Sequence, residues 1–526
     1  MTLTATKFTP EVSSYSFHEH KKTAQIRVLD IDSGDSQSLV EESGASEPVW
    51  LGDDEVLYLK SGSDGNTTLI VRHVKSAEVS SYEAGSVKAP IADVKIKKLS
   101  DGTFAFACSA LTTPDGKLYN PETEKKPHSS AKVYTSLFVR HWDAWNSENT
   151  SSIFYGLLKK KDGKYSLDGD ALTNAWRGLA CPPCPFGGSG DFDIGPSGPR
   201  LLLVPDISNP DKVEEFYATS DGAGDWDLRP SPSIVSSASK QGKSFGLSRA
   251  SVDSITFRGA GGDYDVHALV VRPSSFDPNK KYPLCMLIHG GPQGAWQDAW
   301  STRWNPAVFA EQGYVVVCPN PTGSTGYGMA LEDGIRGEWG GRPYNDLVRC
   351  YEWVVENLRE VDGERAVALG ASYGGYMINW IQGHPLGRKF KALVCHDGVF
   401  STLNQWSTEE LFFPIHDFEG TFYENREGYE KWDPAKFVDE WATPQLIIHS
   451  ELDYRLPVTE GLAAFNVLQA KKVPSKLLVF PDENHWVLKH ENSLVWHREV
   501  LGWINKYSGI EDEQRLAEQV GSLKVE

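Results

Sequence analysis

A serine, a histidine and a small choice of carboxylates carry the chemistry open to this chain of 526 residues. Ser372 stands in Gly370-Ala371-Ser372-Tyr373-Gly374, between a short apolar run, Ala366 to Leu369, and a mostly apolar, proline-free stretch from Tyr376 to Ile381. That pattern predicts strand, tight turn and helix, with the serine at the tip. Glycines two residues before and after it remove the Cβ atoms that would collide where strand and helix cross. The hydroxyl is then held out on a strained turn, free to attack an acyl carbon. The motif alone proves little, because Gly242-Lys243-Ser244-Phe245-Gly246 repeats it. Polar SSASKQ precedes that second copy and no apolar helix follows, so it is assigned to a linker.

A serine nucleophile needs a base, and the base needs an acid behind it. The apolar run PQLIIHS leads into Glu451-Leu452-Asp453-Tyr454-Arg455, and KLLVFPD into Glu483-Asn484-His485-Trp486. His485 would take the Ser372 proton during attack and return it to the leaving group. Asp453 would hold the imidazole tautomer and stabilise its positive charge. Glu451 and Asp482 are reserve acids. His490 and His497 fall in a predicted helix and His449 in a strand, while the adjacent pair His396-Asp397 cannot supply the usual geometry. The developing oxyanion calls for two donors. One is the N–H of Tyr373; the other comes from the loop His289-Gly290-Gly291-Pro292, whose glycines let backbone approach a substrate. Cys181-Pro182-Pro183-Cys184 has no second ligand pair at zinc spacing and is read as structural. His18-Glu19-His20 lacks the H-E-x-x-H spacing and is read as surface.

The elements that must position these groups follow from the hydrophobic rhythm. From Ser254 onward strands alternate with helices. SITFRG and DVHALVVRP read as a hairpin; LCMLIHGG, GYVVVCPN, AVALG, KALVCHDG, PQLIIHS and KLLVFPD read as strands covered on both faces. Leu347, Tyr351, Val354 and Leu358 mark one helix face, and 458–470 and 491–507 are later helices. The expected fold is a doubly wound, mostly parallel sheet, an α/β-hydrolase domain over 251–508, with active groups at the carboxyl ends of its strands. Residues 1–245 have a different texture: short strands around Asp/Ser-Gly turns, as in 25–40, 48–65, 94–110 and 151–167. That reads as a β-propeller, with a linker at about 207–250 and an acidic polar tail over 509–526. At roughly 40–45 residues per blade the propeller is short, five blades at most.

Composition narrows the partners. A net charge of −19 argues against nucleic acid and anionic membranes. No run of about 18 apolar residues is present to span a bilayer. The first residues have no apolar signal-peptide core, and seven sparse cysteines suit a reducing compartment. Sequons at Asn66 and Asn149 point the other way. The cytoplasm is the expectation, with secretion the alternative.

GASYGGYM, HGGP, NPTGSTGYG (320–328), WGGRPYNDL (339–347) and the two strand ends together resemble the prolyl oligopeptidase family of serine peptidases. HSELDYRLP and FPDENHW are most similar to its fungal dipeptidyl peptidase V branch, beside the acylaminoacyl peptidases. VRHWDAW (139–145) and PFGGSGDFD (185–193) resemble the propeller portion of that group. The resemblance implies release of dipeptides from the N-termini of short, unfolded peptides, with no cofactor. It places Ser372, Asp453 and His485 in the triad, Gly291 and Tyr373 at the oxyanion hole, and Val399, Phe400 and Trp406 in the substrate pocket. The same triad would serve an acylaminoacyl peptidase or a carboxylesterase. A third reading, prompted by the short propeller, is an inactive interaction protein.

Overall fold

The computed structural model describes residues 7–8, 11–30, 36–52, 54–74, 81–125, 128–169, 172–175, 190, 192–195, 201–203, 248, 251–297, 299 and 301–510. The motif at 242–246, the C-x-x-C pair at 181–184 and the tail beyond 510 lie outside these residues. Of the described residues, those in Met1–Val133 and Ser147–Ser237 form one compact unit, and those in Tyr134–Asn146 and Ala238–Glu526 a second. The contiguous first domain expected from the sequence therefore gives up one piece, Tyr134–Asn146, to the later unit.

The described residues of the first unit form strands and turns only. Lys21–Asp30 pairs antiparallel with Glu11–Ser16 and with Ser36–Val40. Ala45–Trp50, Glu55–Ser61, Thr67–His73 and Ser81–Val87 form a four-stranded meander. Ala92–Lys98, Phe104–Thr112, Thr150–Lys161 and Lys164–Leu167 make a third sheet, which Thr173–Asn174 joins beside Thr150–Lys161. Asp101-Gly102 and Asp162-Gly163 stand in turns between paired strands, in line with the sequence reading. Alternation explains the pairing: Thr67, Leu69 and Val71 point into the core between exposed or half-buried neighbours. Phe104, Phe106, Cys108, Phe154 and Leu158 fill that core with Leu57 and Leu59. Phe192–Ile194 pairs with Leu201–Leu203 as a further small hairpin. His18, Glu19 and His20 are exposed, as expected.

The second unit holds an eight-stranded sheet. Its strands are β1 (Val252–Arg258), β2 (Asp265–Val271), β3 (Tyr282–Ile288), β4 (Val315–Asn320), β5 (Val361–Ala371), β6 (Ala392–His396), β7 (Gln445–Ser450) and β8 (Ser475–Phe480), in the order β1-β2-β4-β3-β5-β6-β7-β8. β1 and β2 form the antiparallel edge hairpin and β2 also runs antiparallel to β4; the remaining pairs are parallel. Alternate residues serve opposite faces. Met286, Val317, Ala368, Leu393 and Ile447 face one layer of core. Cys285, Leu287, Val316, Leu369, Val394 and Ile448 face the other.

The helices labelled here are α1 (Pro306–Ala310), α2 (Arg342–Asn357), α3 (Tyr373–Gln382), α4 (Val458–Ala470) and α5 (His490–Ser508). The predicted face of α2 is buried at Leu347, Tyr351 and Val354, while Leu358 is its C-cap residue. Val500, Trp503 and Ile504 of α5 join the second layer. Each such leucine- or isoleucine-sized side chain contributes roughly 1.5–3 kcal/mol on burial. Parallel pairing with crossover helices leaves the carboxyl ends of β3, β5, β6, β7 and β8 side by side, and the candidate chemistry collects there.

Candidate active site

Ser372 ends the turn between β5 and α3 with φ 61° and ψ −122°. A non-glycine residue with positive φ costs on the order of 1–3 kcal/mol and persists only where its surroundings over-determine it. They do so here. The Ser372 N–H donates to the His396 carbonyl at 3.0 Å, and the Ser372 carbonyl accepts from Tyr376 N–H at 2.9 Å. A Cβ on Gly370 would lie 2.3 Å from the Gly374 carbonyl oxygen, and one on Gly374 would lie 2.2 Å from that of Ile288. No side chain fits at either place. That is the physical reason for both glycines around the serine.

His485 and Asp453 come from the loops after β8 and β7. Nδ1 of His485 lies 2.6 Å from Oδ2 of Asp453. The carboxylate can only accept, so Nδ1 carries the proton and Nε2 keeps its lone pair. Oδ1 of Asp453 accepts the Leu456 N–H at 2.9 Å, which fixes the carboxylate plane. Both side chains are buried. The reserve acids are engaged elsewhere or turned outward. Asp482 is exposed and pairs with Lys489, and Glu451 is exposed. Glu483 is buried and accepts the N–H groups of Leu488 and Lys489 at 3.1 and 3.0 Å, bracing the histidine loop against the start of α5.

His396 and Asp397 lie closer to this centre than the sequence suggested. Carboxylate and ring atoms of Asp397, Asp453 and His485 lie within 4.8 Å of one another. Asp397 has φ 44° and accepts the Ser450 N–H at 3.0 Å. Burial pushes its carboxyl up, to about 7, and holds the His396 imidazole down, at about 3. His449 is buried in β7, its Nε2 2.8 Å from the Leu456 carbonyl oxygen.

The loop after β3 reaches the serine. A Cβ on Gly290 would touch Cβ of Ser372 at 3.1 Å, so the two backbones are in close contact. Gly291 has φ 124° and lines the pocket that also holds Ser372 and Tyr373. His289 ties this loop down, with Nδ1 2.7 Å from the Gly290 carbonyl oxygen and Nε2 2.9 Å from Oγ of Ser324. Asp346 holds the neighbouring 320–328 loop. It is fully buried and accepts from the Thr322 N–H and hydroxyl, the Tyr264 hydroxyl and the Ala260 N–H. Tyr373 opens α3, so its N–H is among the unpaired donors at the positive end of a helix. Its side chain turns away, the hydroxyl donating to the Trp339 carbonyl at 2.7 Å.

Val399 lines the pocket beside Ser372. Phe400 and Trp406 are not among its lining residues. Phe400 packs edge-on against Trp441 at 5.7 Å, and Trp406 against Phe422 at 4.9 Å, both half-buried against the core. Their place is taken by Trp339, Phe413 and Pro414, with Gln405, Glu410 and Arg455 as the polar wall. Glu410 accepts from Arg455 at 2.6 Å. Its neighbour Glu409 has a side chain with 0% exposure, 3.7 Å from Arg455 Nε, and neither carboxylate oxygen accepts a hydrogen bond. Burial, with the charge of Glu410 second, pushes the Glu409 carboxyl up to about 7. These acids sit in STEELFF, a stretch without usable period, and only a pair of adjacent glutamates flanked by aromatics could have flagged them.

Comparison with known proteins bears on this geometry. A family model described as the prolyl oligopeptidase family matches residues 300–511. Dipeptidyl-peptidase 5 of Aspergillus fumigatus is 39% identical over 658 aligned residues, covering 95% of this chain and 91% of that protein. The chain belongs to the prolyl oligopeptidase family. Dipeptidyl-peptidase 5 of Arthroderma otae is 36% identical, with 98% and 92% coverage. An alignment of 658 residues cannot be filled by a chain of 526, so more than a hundred positions of the Aspergillus protein stand opposite nothing here. The acylaminoacyl peptidase of Pyrococcus horikoshii has a similar fold, with TM-score 0.70, 14% identity and coverage of 95% of this chain and 94% of that one. The protein is a serine peptidase of this family, an α/β-hydrolase unit with an all-β unit before it, and peptides are its substrates.

Proposed function

We propose that this peptidase releases dipeptides from the free N-termini of short peptides, with Ser372 as nucleophile, His485 as general base and Asp453 as its orienting acid. The observation that carries the dipeptidyl reading is that Ser372 shares one pocket with the buried carboxylate of Glu410, beside which Glu409 is buried outside the lining. Arg455 serves one side of this acid pair, but the Glu409 oxygens accept no hydrogen bond, so a second cation is favoured, and the α-ammonium of a peptide would set cleavage a fixed distance from the terminus. The names of the two fungal relatives support the same reading.

In the acylation step Oγ of Ser372 attacks the scissile carbonyl while Nε2 of His485 takes its proton. The N–H groups of Tyr373 and Gly291 would receive the oxyanion. The imidazolium then gives its proton to the departing amine, leaving the dipeptide as an ester on Ser372. Water, deprotonated by the same nitrogen, hydrolyses that ester and frees Ser372.

The test is direct. A fluorophosphonate probe should label the wild-type chain and fail to label Ser372→Ala, whose peptidase rate should fall by roughly 10⁵–10⁶. Labelling that persists in Ser372→Ala would remove the serine from its role. Among an X-Ala-nitroanilide, its acetylated form and a nitrophenyl ester, the free amine should be preferred. Preference for the acetylated form would assign acylaminoacyl release instead, and turnover of the ester alone an esterase.

A further inference from the structure

The hairpin Tyr134–Asn146 lies in the middle of the all-β sequence yet belongs to the hydrolase unit. Arg140–His141 pairs with Ala144–Trp145, leaving Trp142-Asp143 as a two-residue turn. Trp142 has φ 57°, a conformation a bulky side chain adopts only when its contacts hold it there. The hairpin is braced internally. Asn146 N–H donates to the Val139 carbonyl at 3.0 Å, and the Tyr134 hydroxyl to the Asn146 carbonyl at 2.6 Å.

Its tip touches both loops that carry the base and the acid. On the base loop, the Trp142 ring meets His485 edge-on with centroids 5.8 Å apart and Trp486 edge-on at 5.0 Å. Asp143 accepts from the Asn484 side-chain amide at 2.9 Å. On the acid loop, the Trp142 carbonyl accepts the Tyr454 N–H at 3.1 Å, and the Arg455 guanidinium lies 5.2 Å over the Trp142 ring. Arg140 stacks over Tyr454 at 4.6 Å and donates to the Ser407 carbonyl at 2.5 Å. Among the described residues the two loops also meet directly, through Leu452 N–H to the Glu483 carbonyl at 3.1 Å and through the His485–Asp453 bond. Trp142 therefore packs against the histidine ring itself and is tied to the acid loop one residue past Asp453.

We propose that the 134–146 hairpin is a clamp that sets the spacing of the acid and base loops, and that Trp142 is a positioning residue for His485. Aromatic edge-to-face contacts of this kind hold two rings in a fixed mutual orientation beyond what area burial does. Displacement of a catalytic group by about 1 Å costs on the order of 100-fold in rate. Losing the indole leaves the imidazole held by Asp453 alone, while Arg455, which also loses its contact with the ring, keeps its hydrogen bond to Glu410 in the pocket wall. The effect therefore falls chiefly on the chemical step, with a smaller one on substrate binding through Arg455. The proposal rests on His485 acting as the base for Ser372.

The experiment compares the wild-type chain with Trp142→Ala, Trp142→Phe and Asp143→Ala. Trp142→Ala should lower kcat about 10-fold or more, with KM changed less than 2-fold. The rate constant of fluorophosphonate labelling should fall by the same factor, because labelling needs the base but not the peptide-binding wall. Trp142→Phe, which keeps an aromatic edge, should recover most of both rates. Asp143→Ala keeps the indole and removes only the Asn484 link, so it should lose about 2–5-fold and stays informative if Trp142→Ala folds poorly. The proposal is overturned if Trp142→Ala raises KM alone, if both rates stay within 2-fold of wild type, or if Trp142→Phe is no better than Trp142→Ala. Failure of the triad reading looks different, since the wild-type chain itself would then not label at Ser372.

Discussion

Replacing Gly374 by alanine tests the elbow at its tightest point. The added Cβ would sit 2.2 Å from the Ile288 carbonyl oxygen and 3.0 Å from that of His289, both backbone atoms. Ordinary contact begins near 3.4 Å, so the helix start and the end of β3 would have to part by about 1 Å. Overpacking of this kind costs typically 1–3 kcal/mol. At roughly 2–4 °C per kcal/mol for a sizeable domain, melting should drop by several degrees. The larger effect is on chemistry. The atoms that must move lead directly into Gly290 and Gly291, and a shift of about 1 Å there should lower kcat on the order of 100-fold. Differential scanning calorimetry and initial rates on a dipeptidyl nitroanilide measure the two. Gly502→Ala is the control, because Gly502 is exposed on α5 and an added Cβ meets nothing within 4 Å. It should stabilise the helix by about 0.5–1 kcal/mol and leave the rate unchanged. A Gly374→Ala protein with wild-type melting and wild-type rate would refute the close crossing.

Four further outcomes follow from the same geometry. Asp453→Asn should keep the fold and lower kcat by about 10⁴, because an amide no longer dictates which imidazole nitrogen carries the proton; steady-state kinetics beside a thermal melt separates the two. The Glu409 carboxyl, pushed up to about 7, is charged only above that pH. kcat/KM on a free-amine substrate should therefore gain a component that rises through pH 7 and fades near pH 8, where the substrate's own ammonium deprotonates. Glu409→Gln should erase that component and leave the profile on a nitrophenyl ester unchanged; equal profiles for both proteins on both substrates would remove Glu409 from recognition. Asp346→Ala should strand its four donors and lower unfolding free energy by several kcal/mol in a urea titration. Cys108, Cys285, Cys318, Cys350 and Cys395 are buried with thiols pushed up by burial, so iodoacetamide should spare all five in the native chain and modify them in denaturant.

Much of the hydrolase unit is legible in the sequence because its signals are local. A strand that is covered on both faces must be a continuous apolar run, and each of the six runs became a strand of the parallel part of the sheet. Asp453 and His485 are visible for the same reason, since a residue directly after such a run stands at a strand's carboxyl end whatever the rest of the chain does. Phe400 and Trp406 show where this reasoning stops. They follow β6 in sequence, but side-chain direction outside a strand has no period of two, and both pack half-buried against other aromatics instead of lining the pocket with Ser372.

Order along the chain determined Ser372, its glycines, the histidine and the acid, because each is written in residues next to one another. The tertiary structure alone decided what surrounds them. Glu410 gains meaning only from the pocket that Arg455 and Ser372 share with it, and Glu409 from its burial beside Arg455. Asp397 comes to the centre because parallel β6 lies between β5 and β7. Asp143 meets Asn484 across 341 residues of sequence. Contacts over such separations depend on how whole sheets pack, and no short window of sequence encodes them.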